Sequence, residues 1–323
     1  MITIDISEKP DSKWNKRLLE SKLGIIYQTK EFAEFNETVL KAKPLYLKFL
    51  NQNGTIVGQL LISVHPRFTK KSLRNIILRK IHTENHFVYR WIYGPTIFDS
   101  EFSNEIKDIL CTFLIKKKVK VSGTEHPLSN RVFSSLSKPF HVKQWSTFLI
   151  DLCQDKSLIQ EGMDKHSTIK NIQRSEHRGV IVKEISNNNL DDYNKLLNET
   201  KKKVGSTSEI SNLQIQWNKL GPIGFSGFLA YKDQKPVGGL AFSYFNSYIN
   251  EWGVARSELD RSQNLYSQDL IKWKIIECGI EKNCHYYDLT GVNLNSTDEK
   301  EKGIFQYKKK WGGKLISYNQ ILI

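Results

Sequence analysis

Three groups of residues in this 323-residue chain have the types and spacing to do chemistry. The first is the lysine run Lys308 to Lys310, set between Tyr307 and Trp311 and followed by Gly312 and Gly313. An ammonium held among aromatics would stabilise negative charge building on a reacting oxygen, whereas a lysine run on an open helix face is simply solvated. The second is Lys165, Lys170, Arg174 and Arg178 on one predicted helix. Lys170 and Arg174 are four apart and share a face, a spacing suited to clamping a phosphate group. The third is Arg67, Lys70, Lys71, Arg74, Arg79 and Lys80, a basic stretch that reads as an exposed loop steering anions.

Other chemistries lack their residues. The four cysteines (Cys111, Cys153, Cys278, Cys284) form no CxxC pair, and the eight histidines show no HxxxH or HExxH spacing. No metal site and no disulfide framework is expected, and reduced thiols in a cytoplasmic protein are the ordinary reading. There is no GxSxG elbow, P-loop or GxGxxG, so covalent catalysis and ATP or dinucleotide use have no support. No cofactor is expected. With 48 Lys and Arg against 34 Asp and Glu, the net charge is +14 and the pI near 9.4, which favours polyanions or an anionic membrane surface as partners. The N-terminus has early acids and no apolar h-region. Every apolar stretch falls short of the roughly 18 residues of a membrane helix, so the chain is expected to be soluble or at most peripheral to a membrane.

The elements that must position these residues come as two copies of one plan. The first copy runs Tyr46 to Val64, Val88 to Phe98 and Asn104 to Gly123; the second runs Gly227 to Phe245, Ser247 to Ala255 and Ser267 to Gly291. Each reads as a hairpin, a third strand, a helix with one apolar stripe, and another strand. Val57-Gly58 aligns with Val237-Gly238. The copies also end alike: Asn130 to Leu152 parallels Lys302 to Ile323 with Phe133 opposite Phe305, predicting a short helix and a final strand in both. Between them lie a basic helix ending at Gly179, the strand Val180 to Ile185, and two helices joined by VGSTSE. Length and repetition together predict domains 1–157 and 158–323.

This order of elements resembles the GNAT type of acyl-CoA N-acyltransferase fold in tandem: an α/β (α+β) protein of two GNAT-like lobes, with mixed, mostly antiparallel sheets flanked by helices. Four motifs then resemble the FemABX family, aminoacyltransferases that use aminoacyl-tRNA to extend peptidoglycan peptides. They are GPTIFD (Gly94 to Asp99), the STFLIDL strand followed by KNIQRSEHRGV (Lys170 to Val180), YYDLTG (Tyr286 to Gly291) and YKKKWGG (Tyr307 to Gly313). The last is the most specific, matching the family at Tyr307, Lys308, Trp311, Gly312 and Gly313. Departures are Lys170 where the family often has Arg, Arg174 where it often has Lys, and Phe32 where a Trp is common. The long coiled-coil arm of some members is absent.

The resemblance and the repeat make Lys308 the expected oxyanion cation, because the equivalent position of the first copy is Leu136 and the fold does not demand a charge there. Glu251, on the strand before the donor loop where GNAT-like enzymes often keep a carboxylate, is the candidate proton acceptor; pairing with a basic neighbour is its commoner fate. Asp99 matches a family carboxylate facing the acceptor, or else is a turn residue. Lys170, Arg174, Tyr307, Trp311 and Asp288 are the expected substrate-binding residues, Asp288 being suited to fixing a strand end. The GNAT phosphate loop falls on RSQNLY (Arg261 to Tyr266), where Asn264 and Tyr266 replace glycines that bring backbone close to a pyrophosphate, so acetyl-CoA is disfavoured. The expected activity is direct transfer of an aminoacyl group from aminoacyl-tRNA to an amine of an anionic, phosphate- or diphosphate-bearing acceptor of cell-wall-precursor type, by a cytoplasmic monomer. The rivals are a CoA-dependent N-acyltransferase and a non-catalytic nucleic-acid-binding protein.

Overall fold

Continuous apolar runs become strands buried on both faces, and one-sided stripes become helices. In the computed structural model, residues 1–66, 87–203 and 212–323 are described. The basic stretch Arg67 to Lys80 and the VGSTSE linker lie outside the described residues.

The chain divides into two units, Met1–Trp145 with Ser317–Ile323, and Ser146–Ile316. The elements up to the first junction are β1 (Thr3–Ser7), α1 (Trp14–Leu19), α2 (Lys30–Leu40), β2 (Lys43–Leu50), β3 (Ile56–Pro66), β4 (Phe87–Trp91), β5 (Thr96–Ile97), α3 (Ser103–Lys117), β6 (Lys120–Thr124) and β7 (His141–Asp151). Then follow α4 (Lys156–Glu161), α5 (Lys170–His177), β8 (Ile181–Glu184), α6 (Leu190–Lys203), α7 (Leu213–Leu220), β9 (Phe225–Lys232), β10 (Lys235–Phe245), β11 (Tyr248–Arg256), α8 (Glu258–Ser262), α9 (Ser267–Glu281), β12 (Tyr286–Val292), α10 (Glu299–Lys309) and β13 (Lys314–Leu322).

The strands of the two units follow one grammar. In the first unit β1, β2, β3 and β4 pair antiparallel in sequence, β4 and β6 pair parallel, and β13 closes antiparallel on β6. In the second, β8, β9, β10 and β11 pair antiparallel, β11 and β12 pair parallel, and β7 closes antiparallel on β12. The tandem, mostly antiparallel α/β architecture expected from the repeat is what the chain forms. Its closing strands are exchanged: the last strand of each copy completes the sheet of the other. For that reason the division falls at 145/146, with Ser317–Ile323 returned to the first unit, where the sequence placed a single cut at 157/158.

Helix α3 buries Ile106, Leu110 and Leu114 as one stripe on the first core, beside Leu60, Trp91 and Val121. Helix α9 instead is buried nearly all round; Leu270, Ile271, Trp273, Ile275 and Ile276 lie in the second core, and Gln268, Asp269 and Lys272 are buried with them. Buried polar groups on such a helix are the informative feature, because each must find a partner. The short helix expected in both copies forms in one only. Asp298 caps α10 by accepting from the Lys300 amide at 2.7 Å, ahead of good helix formers. The first copy has serines in that stretch, and Ser134 turns back to the Arg131 carbonyl, so turns replace the helix.

Candidate active site

The site is built where β11 and β12 stop pairing. Their parallel ladder covers only Tyr248–Asn250 against Tyr286–Asp288. On its other edge β12 slips register against β7 between Asp288 and Gly291, and Thr290 takes φ +64°. A β-branched residue in the left-handed region is strained and needs holding. Asp288 holds it. Its fully buried carboxylate accepts from the Thr290 amide at 2.7 Å, from the Thr147 hydroxyl, from Tyr248 at 3.0 Å and from Asn250 at 3.1 Å. The same Thr147 hydroxyl lies 2.8 Å from the Thr290 carbonyl, so its one proton is shared between that oxygen and the carboxylate. Asp288, expected among substrate-binding residues and suited to fixing a strand end, here shapes the strand, with both oxygens engaged.

The strained turn presents acceptors to Lys308. Its Nζ donates to the Thr290 carbonyl at 3.1 Å, the Thr290 hydroxyl at 3.2 Å and the Gly291 carbonyl at 3.2 Å. Lys308 is 9% exposed, so it is not a member of a solvated run. Burial lowers its pKa from 10.5 to about 8; Lys272 pushes it the same way, and Glu251 and Asp288 oppose. The ammonium therefore persists at neutral pH, close to its titration.

Glu251 is the other buried charge. It ion-pairs with Lys272 from α9 and accepts from the Tyr287 hydroxyl at 2.6 Å, all three being buried. Glu251, the expected proton acceptor, is thus found in the paired state that was its commoner alternative. The Lys272 ammonium also lies 5.9 Å from the Tyr287 ring centroid and 5.8 Å from that of Tyr307. Sequence reasoning missed Lys272. Its signal was a lysine inside SQDLIKWKIIE, a stretch too apolar for a surface helix.

The YKKKWGG motif resolves into several tasks. Lys308 points inward. Trp311, expected among the substrate-binding residues, is 1% exposed and packs in the second core. The Tyr307 hydroxyl and the Trp311 indole N–H are electrostatically coupled and buried without a hydrogen bond of ordinary geometry. Lys310 turns back to Asp269 at 2.5 Å and over the Tyr307 ring at 4.4 Å. Gly312 has φ +75°, and a Cβ there would sit 2.1 Å from the Gly162 carbonyl oxygen, so only glycine fits.

The expected phosphate loop is closed from within. Asn264 and Tyr266 both take positive φ, as the backbone turn demands. The first amide of α9, Ser267, is taken by the Asp260 carboxylate at 2.9 Å, and Asp260 is itself paired with Arg256. A carboxylate thus stands where a helix N-terminus would receive an anion. On α5, Arg174 and Arg178 lie over the Tyr266 ring at 5.9 and 5.3 Å, and Arg178 donates to the Asn264 carbonyl. Arg174 and Lys170 are exposed, and no carboxylate pairs with either among the described residues. Asp99 belongs to the first unit, where it caps a 3-10 turn by accepting from the Glu101 amide at 3.0 Å, the turn role that was its alternative. Lys308, Glu251, Asp288, Tyr307 and Trp311 are brought together; Lys170 and Arg174 stand on the helix beside the closed loop.

No family model and no curated protein sequence matches this chain. Solved structures do. FemX matches over 98% of this chain and 96% of its own, with a TM-score of 0.70 and 11% identity. A lysylphosphatidylglycerol synthetase from Bacillus licheniformis matches over 98% and 93%, with a TM-score of 0.57 and 11% identity. A tandem GNAT protein from the clavulanic acid biosynthesis pathway matches over 100% and 98%, with a TM-score of 0.54 and 9% identity. The chain has the FemABX-like tandem GNAT fold. Among the described residues no helix is long and apolar enough to cross a membrane.

Proposed function

We propose that the protein is a cytoplasmic aminoacyltransferase that moves an aminoacyl group from aminoacyl-tRNA directly to an amine on an anionic acceptor carrying phosphate or diphosphate. The observation that carries this reading is Lys308: a buried ammonium held only by neutral oxygens at the end of a parted strand pair. The acceptor amine attacks the ester carbonyl, a C–N bond forms, the C–O bond to the ribose breaks, and the amine proton passes to the leaving ribose oxygen. Lys308 supplies positive charge where the carbonyl oxygen becomes negative. The lysyl-lipid synthetase and FemX likenesses support the fold on which such a transfer is run, and fold alone does not determine the chemistry.

The closed loop before α9 supports a donor other than acyl-CoA, since the Asp260 carboxylate and the αL Tyr266 stand in the place of a pyrophosphate cradle. The exposed Arg174 and Lys170 supply cations for RNA or acceptor phosphate. The test is parallel binding of acetyl-CoA, aminoacylated tRNA and deacylated tRNA at varied salt. Preference for charged tRNA without CoA binding is expected. CoA binding with no such preference overturns the reading in favour of an N-acyltransferase, and salt-dependent binding of both tRNA forms alike points to a non-catalytic RNA-binding protein.

A further inference from the structure

The acids that face Lys308 are both engaged elsewhere. Asp288, from β12, is taken by Thr147, Tyr248, Asn250 and the Thr290 amide. Glu251, from β11, is taken by Tyr287 and by Lys272 of α9. Lys308 therefore makes no salt bridge among the described residues and keeps its charge directed at neutral oxygens, the Thr290 and Gly291 carbonyls and the Thr290 hydroxyl. A buried lysine beside a free glutamate would close an ion pair, because the pair is far cheaper than two separate buried charges. A lysine in such a pair has lost most of its field for a third group.

We infer that Lys272 is a positioning residue that holds the Glu251 carboxylate away from Lys308 and so keeps Lys308 available to a substrate oxygen. The inference rests on Lys308 being the working cation of the proposed transfer, and it assigns no contact with substrate to Lys272 itself. Tyr287 shares the task by bonding the same Glu251 oxygen, Oε1. The rings of Tyr287 and Tyr307 give the Lys272 ammonium two further favourable faces.

The experiment follows Lys308 directly, without donor or acceptor, by NMR of lysine-labelled protein with the Lys308 Nζ resonance assigned through Lys308→Arg. The wild-type midpoint is expected near 8. In Lys272→Met the released Glu251 pairs with Lys308 and the midpoint rises by about one pH unit or more. In Glu251→Gln the unbalanced Lys272 lowers it, and Lys272→Met combined with Glu251→Gln returns it near the wild-type value. Unmoved midpoints, or a double variant that titrates like Lys272→Met, overturn the inference. Where Lys272→Met alone does not fold, Glu251→Gln against the double variant decides: adding Lys272→Met must raise the midpoint. Midpoints that move as stated while charged tRNA is not preferred leave this assignment standing and remove the aminoacyl-transfer reading; fixed midpoints with a preference for charged tRNA do the reverse.

Discussion

The two units share a strand grammar and differ in what they do with buried charge beside the parallel pair. In the second, charge is kept by pairing: Lys272 with Glu251, Asp288 with four donors, Lys308 with three oxygens. In the first, burial shifts Glu125 and His126 toward their neutral forms, as it also does Lys308 in the second. Glu125 is pushed up by desolvation, and His126 is pushed down to about 3. Leu136, which the sequence repeat aligns with Lys308, lies in a stretch of turns and packs, partly buried, against the first core. An apolar residue thus stands at the aligned position of the first copy, where the chain forms turns and not the helix that carries Lys308.

That contrast is most sharply tested at the two matching positions. Lys308→Ala is expected to lower kcat by about 10²- to 10³-fold in single-turnover transfer, whereas Leu136→Ala costs stability of about 1–3 kcal/mol and leaves the chemical step in place. Equal kinetic losses in both would erase the distinction. Backbone fit comes next: Gly312→Ala is expected to cost about 3 kcal/mol or more in urea unfolding, since both its φ and the Gly162 carbonyl oppose a side chain.

Lys308 also predicts a pH signature peculiar to the second unit. Its folded pKa of about 8 lies below its ordinary 10.5, so the folded state binds fewer protons than the unfolded chain between those values. The cost of the buried charge is complete below pH 8 and is relieved above it, and stability rises on the order of 3 kcal/mol through that window. Lys308→Met is expected to flatten the rise in unfolding midpoints measured across pH 7 to about 11. Transfer activity runs the opposite way, falling as pH passes about 8 and the ammonium is lost. A rise through the same pH would make Lys308 a base instead.

Two carboxyl replacements sharpen the remainder. Asp288→Asn removes a charge that four donors converge on and is expected to cost about 2–3 kcal/mol by chemical unfolding. Glu125→Gln mimics the protonated form that burial already favours, and its unfolding free energy at pH 7 is expected to stay level or rise by up to about 1 kcal/mol. The reverse ranking would show that the two units treat charge alike.

Much of this was legible in the residues. The hairpins, the stripe of α3 and the cap at Gly179 follow from periodicity and turn chemistry, and the repeat with Leu136 opposite Lys308 singled out the lysine. The exchange of β7 and β13 was not legible, because a strand's apolar pattern does not state which neighbour it will pair with. Lys272 was hidden because a lysine in a helix is ordinarily solvated, and only the partner strand, 21 residues upstream, reveals why this one is buried. The motifs singled out Asp288 and Trp311, but a motif does not separate residues that touch a ligand from those that hold the wall, and the hydrogen bonds of Asp288 and the burial of Trp311 become visible only in the fold.

The exchanged strands also bear on how the chain is made. The first unit's sheet lacks its closing strand until residues 317–323 have been translated, because only they complete the edge of β6. Residues 1–145 thus leave the outer edge of β6 unpaired until residues 317–323 reach it. A gene fragment ended between the two copies would yield halves that each carry a strand meant for the other.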